Sequence, residues 1–65
     1  MKLKLNGIDQ EVNSATIAEL LIELDTPAKG VAIALNDHVV PRAEHGSTQL
    51  QEGDTVELVV AVQGG

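Results

Sequence analysis

A single stretch of this chain carries a helical stripe. In T-I-A-E-L-L-I-E-L (16–24), Ile17, Leu20, Leu21 and Leu24 recur at i, i+3, i+4 and i+7, which places them on one face of a helix. Thr16 with Glu19 three residues on forms a capping box that marks the start. Glu19 and Glu23 fall on the polar side, and an acid in the first turn complements the helix dipole. Asp25-Thr26-Pro27 ends the segment, because Pro27 disfavours helical geometry at Thr26. The other periodic segments read as strands. One amphipathic helix among strands must bury its stripe against one face of a sheet, and this constrains the fold more than any other feature.

The strands follow from alternation. Met1, Leu3 and Leu5 oppose Lys2 and Lys4, giving a half-buried strand. Asn6-Gly7 is a strong hairpin signal, since both residues accept positive φ. The return strand, 8–12, sets Ile8, Gln10 and Val12 against Asp9 and Glu11, so Lys2 and Lys4 face acids across the hairpin. After a loop at Lys29-Gly30, Val31, Ile33 and Leu35 alternate with Ala32 and Ala34. Asn36-Asp37 is a turn, 38–40 begins a short strand that Pro41 stops, and 42–46 is irregular. A short strand is predicted over 47–51 with Leu50 buried, then a turn at 52–54. T-V-E-L-V-V-A-V (55–62) is the longest strand, and its β-branched content predicts a central place in the sheet. The predicted core is Leu3, Leu5, Ile8, Val12, Ile17, Leu20, Leu21, Leu24, Ile33, Leu35, Leu50, Val56, Leu58 and Val60.

Sixty-five residues allow one domain. There is no cysteine, Phe, Trp or Tyr, so the core is aliphatic and unstapled, and thiolate metal sites are excluded. The formal net charge of −6 repels phosphate backbones and anionic lipid, arguing against nucleic-acid or membrane partners. The same charge suits docking onto a basic patch of another protein. No apolar run approaches the roughly 20 residues that span a bilayer, and M-K-L-K-L-N-G lacks the apolar stretch of a signal peptide. A cytoplasmic protein is expected.

The sequence closes with Val62-Gln63-Gly64-Gly65 directly after the last strand. A ββαβ(β)β order with that ending is similar to the β-grasp fold of ubiquitin-like proteins. A-L-N-D-H-V-V-P-R (34–42), E-G-D-T-V-E-L-V-V-A-V (52–62) and the final Q-G-G resemble the ThiS family, the sulfur carriers of thiamine biosynthesis, over essentially the whole chain. The resemblance implies an α+β, ubiquitin-like β-grasp fold: a mixed sheet of four to five strands on one main helix, with residues 1–61 as the domain and 62–65 as a flexible tail. It also implies that an E1-like adenylating enzyme uses ATP to activate the Gly65 carboxylate, with Gly64 beside it. A sulfur-donating system of the cysteine desulfurase type then supports formation of a thiocarboxylate, which gives its sulfur to thiazole synthase.

The residues are consistent with such a division of labour. A carboxylate is a poor electrophile and needs activation, yet the chain has no G-x-x-x-x-G-K-[ST] loop to hold a nucleotide. ATP therefore belongs to the partner, and no cofactor or metal is expected here. Two glycines pass through a narrow channel and accept any backbone geometry there. Four extended residues, Val62, Gln63, Gly64 and Gly65, reach roughly 13–14 Å. With Val56, Leu58 and Val60 inward, Val59 and Ala61 point outward together with Ala32 and Ala34, giving a small apolar patch for the partner.

Other readings compete. His38 and His45, with Asp37 and Glu44 beside them, could suggest a metal site, but solvated loop histidines account for them. Ser47, His45 and Asp54 could be assembled into a triad, but no nucleophile elbow accompanies them. Pro41-Arg42 is a turn with a surface cation or a partner contact. By class, the alternatives are the small subunit of molybdopterin synthase or another sulfur carrier, a non-covalent β-grasp binding module, and a protein-conjugating modifier. An enzyme in its own right is the least supported, because no catalytic constellation is visible.

Overall fold

A computed structural model describes residues 1–27 and 29–60. The described chain runs β1 (Lys2–Leu5), β2 (Ile8–Glu11), α1 (Ile17–Glu23), β3 (Val31–Leu35), β4 (His38–Val39), a 3-10 turn (Arg42–Glu44) and β5 (Thr55–Val60). The strands form one sheet in the order β2-β1-β5-β3-β4. β1 and β5 run parallel, and the remaining neighbours are antiparallel. The last strand in sequence is thus the middle strand in space, as its β-branched run predicts.

Each end of α1 is built from its own residues. Thr16 Oγ1 accepts the Glu19 N–H at 3.2 Å, and the Glu19 carboxylate accepts the Ala15 N–H at 2.8 Å. The helix stops before the proline can act on it, with Leu24 as its C-cap and Asp25 closing the turn two positions ahead of Pro27. Asp25 takes φ 55°, Thr26 N–H bonds Leu21 C=O at 2.8 Å and Asp25 N–H bonds Ile22 C=O at 3.0 Å. That is a Schellman closure with an acid in the left-handed position that glycine usually holds.

Ile17, Leu20 and Leu21 bury against Leu3, Val12, Ile33, Leu50 and Val56, with Met1, Leu5, Leu24, Val31, Leu35 and Leu58 packed around them. Each fully buried aliphatic side chain contributes about 1.5–3 kcal/mol relative to exposure. Two predicted core residues lie outside this cluster: Ile8 is 68% exposed and Val60 is 63% exposed. Their parity is as expected, since Ile8 pairs with Leu5 and Val60 with Val31. The reason is coverage. A helix of seven residues is about 10 Å long, and it does not reach the hairpin end of the edge strand or the far end of β5.

Further differences are local. Residues 47–51 form no strand, only an isolated bridge between Thr16 and Gln49, although Leu50 is buried as predicted. The 38–40 segment keeps two strand residues. Val40 then turns into the core, its N–H bonded to Ile33 C=O at 2.8 Å. The irregular 42–46 stretch contains the 3-10 turn. His45, expected in solvent, is 5% exposed, because its backbone carbonyl accepts the Ala18 N–H at 3.0 Å and this draws the turn onto the helix.

Candidate functional site

The helix covers one face of the sheet and leaves the other open. The β3–β5 register sets Ala32 opposite Val59 and Ala34 opposite Glu57, while Ala34 also faces Val39 across β4. Directly opposed residues share a face, so Ala32, Ala34, Val39 and Val59 form one apolar stripe across three strands. Val59 is 63% exposed and Val39 is 76% exposed, with Ala32 exposed and Ala34 half-buried between them. The predicted parity of Ala32, Ala34 and Val59 is the observed one. Ala61, the fourth predicted member, lies outside the described residues, as do Val62, Gln63, Gly64 and Gly65. Val39 was missed. Its signal was the parity of the short strand: with Val40 inside, Val39 faces out.

The other half of the open face is charged. Lys2 pairs with Glu11 and Lys4 with Asp9 in the hairpin register. The salt bridge at contact distance among the described residues instead joins the Met1 amino group to Glu11, at 3.1 Å. The stripe is therefore bounded on the β1–β2 side by alternating lysines and acids, and by Glu57 within β5.

Asparagines at two turns tie β5 to its neighbours. At the β1–β2 turn, Asn6 sits at φ 49° before Gly7 at φ 82°. Its N–H donates to Val56 C=O at 2.9 Å, and its Oδ1 accepts the Leu58 N–H at 2.8 Å. At the β3–β4 turn, Asn36 sits at φ 50°. Its N–H donates to Thr55 C=O at 2.8 Å, its Oδ1 accepts the Thr55 N–H at 3.0 Å, and its Nδ2 donates to Asp54 Oδ1 at 3.1 Å. Asparagine tolerates the left-handed region and carries an amide; at both turns that amide bonds to the central strand.

The other candidate chemistries are not assembled. The Ser47 hydroxyl donates to Glu44 C=O at 3.3 Å. Asp54 uses one oxygen for Asn36 and the other for the Gln51 N–H at 2.8 Å, so Ser47 and Asp54 are committed locally rather than to His45. Among the described residues no three His, Asp or Glu side chains gather to hold a metal ion. Glu23 has a structural task. Its carboxylate accepts the buried Ser14 hydroxyl and the Asn13 N–H at 3.0 Å, and these bonds, the Ser14 hydroxyl first, hold its pKa below the ordinary 4.5.

One short helix backing a mixed sheet of five strands, with the last strand in sequence at its middle, defines the ubiquitin-like β-grasp class. The ThiS family model matches residues 3–65. The chain is 38% identical over 61 residues to the sulfur carrier protein ThiS of Thermus thermophilus, spanning 94% of this chain and 95% of that protein. The crystal structure of the thiamine biosynthesis protein ThiS from Geobacter metallireducens matches it with a TM-score of 0.85 at 33% identity, covering 100% of both chains. A thiazole synthase of Paramagnetospirillum magneticum aligns with 100% of this chain at 33% identity, and the chain spans 20% of that larger protein. The chain belongs to the ThiS family, the sulfur carriers of thiamine biosynthesis.

Proposed function

We propose that this chain carries sulfur as a C-terminal thiocarboxylate on Gly65 and delivers it for thiazole formation. The observation that carries the reading is the apolar stripe Ala32–Ala34–Val39–Val59 on the open face, on and beside the strand that leads to the Gly-Gly. In this reading an E1-like adenylating enzyme docks on the stripe. The Gly65 carboxylate attacks the α-phosphorus of ATP and pyrophosphate leaves. The terminal sulfur of a persulfide from a cysteine desulfurase type system then displaces AMP to give an acyl disulfide. A thiol cleaves its S–S bond, leaving the thiocarboxylate on Gly65 and the thiol oxidised to a disulfide. Thiazole synthase then takes the sulfur, a pairing supported by the likeness to thiazole synthases of which this chain spans only a fifth.

The division into a β-grasp body, 1–61, and a tail, Val62, Gln63, Gly64 and Gly65, goes with this reading. So does the expectation that the chain holds no cofactor of its own: in this reading ATP binds the activating partner, and the chain is a protein co-substrate rather than an enzyme. We place it in the cytoplasm, where ATP and cysteine are supplied. No helix among the described residues is long and apolar enough to cross a membrane. The sequence resemblance leaves room for a molybdopterin synthase small subunit, but the thiazole synthase relatives favour the thiazole route.

The test is intact mass after incubation with ATP, cysteine, an adenylating enzyme of this class and a desulfurase. The expected result is a gain equal to sulfur replacing one oxygen, mapped to Gly65. An unchanged Gly65, beside a control carrier that is converted, would overturn the carrier chemistry and favour the non-covalent binding module.

A further inference from the structure

Strand β5 is held unevenly along its length. β3 pairs with it from Val56 through Val60, whereas β1 pairs with it only at Thr55 and Val56. Beyond Val56, β1 has turned away into the Asn6-Gly7 hairpin. On that side Leu58 is held by the Asn6 side chain, its N–H donating to Oδ1 at 2.8 Å. A side chain thus continues the ladder by one step where the backbone cannot. On the β1 side this is the last tie to β5, two residues before the strand ends at Val60, where β3 alone pairs with it.

We propose that Asn6 is a positioning residue for sulfur loading: its amide holds the β1-facing edge of β5 at Leu58, the edge that β1 has left unpaired, and with it the orientation in which the residues after β5 are presented to the activating enzyme. The inference rests on the carrier reading above. Two properties make asparagine suited to the position. The backbone needs positive φ, which excludes most side chains at little gain, and the side chain must offer an acceptor to Leu58. Glycine meets the first requirement and lacks the second; aspartate meets both.

Asn36 supplies the control. It occupies the same kind of turn at φ 50° and accepts the Thr55 N–H at 3.0 Å, but at the start of β5 instead of near its end. Asn36→Gly removes two side-chain bonds, one to Thr55 of the same strand and one to Asp54 beside it, without touching Leu58, and so perturbs β5 at least as much as Asn6→Gly does.

The experiment compares wild type, Asn6→Gly, Asn6→Asp and Asn36→Gly in the ATP-dependent conversion of the carrier, with amide exchange at Leu58 and Val59 measured in parallel. Loss of one neutral hydrogen bond predicts an apparent KM for the Asn6→Gly carrier raised about five-fold, with kcat little changed and Leu58 exchange accelerated. Asn6→Asp restores KM and Leu58 protection. Asn36→Gly loses stability yet keeps the wild-type KM. Equal KM values for Asn6→Gly and Asn36→Gly would overturn the proposal, as would an Asn6→Asp carrier that protects Leu58 as wild type does and still loads with a KM raised about five-fold. The second outcome is available even if Asn6→Gly does not fold. Failure of the wild-type chain to load would count against the carrier chemistry itself, whereas normal loading of Asn6→Gly would count against Asn6 alone.

Discussion

Ala32 and Val59 stand directly opposite one another across the β3–β5 ladder, on the face that the helix leaves uncovered. Their pairing places an apolar centre on an otherwise acidic molecule and makes a sharp test possible. Val59 is 63% exposed, so Val59→Asp changes a surface rather than a core. The expected cost in stability is at most about 1 kcal/mol, from lower strand propensity. Affinity for the activating enzyme should fall at least roughly ten-fold, since a carboxylate would be desolvated at the interface. Calorimetry and thermal melting on the same sample check both halves; an unfolded variant would mean that this face is covered.

Gly65 is the second target. Removing it, or adding one residue after it, is expected to abolish thiocarboxylate formation and leave the melting curve where it was, because the core is built from aliphatic side chains between Leu3 and Val56 and a glycine has none to add to it. A truncated chain that still supports thiazole formation would overturn the assignment of the reacting group.

The Glu23 clamp gives a pH dependence whose sign is fixed. The folded state holds the Glu23 pKa below its ordinary 4.5 through the Ser14 hydroxyl and the Asn13 N–H. The folded state therefore binds fewer protons than the unfolded state in this range. The contribution is fully present above pH 4.5 and is lost as pH falls through the lowered folded value. Melting temperature measured from pH 6 downward should decline less steeply below 4.5 for Glu23→Gln than for wild type.

Leu20 is fully buried at 0% exposure under the sheet. Leu20→Ala should cost about 2–5 kcal/mol, the range for a large-to-small change with partial collapse. In a chain this short that is a large part of the total, and urea titration is expected to show a mostly unfolded population near 37 °C.

The parts legible in the sequence were those set by short-range periodicity. The stripe Ile17–Leu20–Leu21 and the strands alternating at Leu3, Ile33 and Val56 all resolved as predicted, because each signal is complete within one element. The open face followed as well, since fixing Val56 inside fixes Val59 outside. Exposure of Ile8 and Val60 was not legible: it depends on how far a seven-residue helix reaches over a five-stranded sheet. Burial of His45 was hidden for the same reason, since its partner Ala18 lies 27 positions back in the chain, 45 minus 18. The reach of Asn6 to Leu58, across 52 positions, has no local signature at all.

The central place of β5 has a consequence for how the molecule is made. Without it the described strands fall into two separate hairpins, β1–β2 and β3–β4. The sheet closes only when a segment some fifty positions from β1 slots between them. Such high contact order favours slow, concerted folding over piecemeal assembly. During translation the carrier cannot complete its fold until β5 has left the ribosome. A chain that has failed to fold has no ordered β5 and no aligned stripe beside it, so the activating enzyme would meet a loading-competent end chiefly on molecules that have already folded.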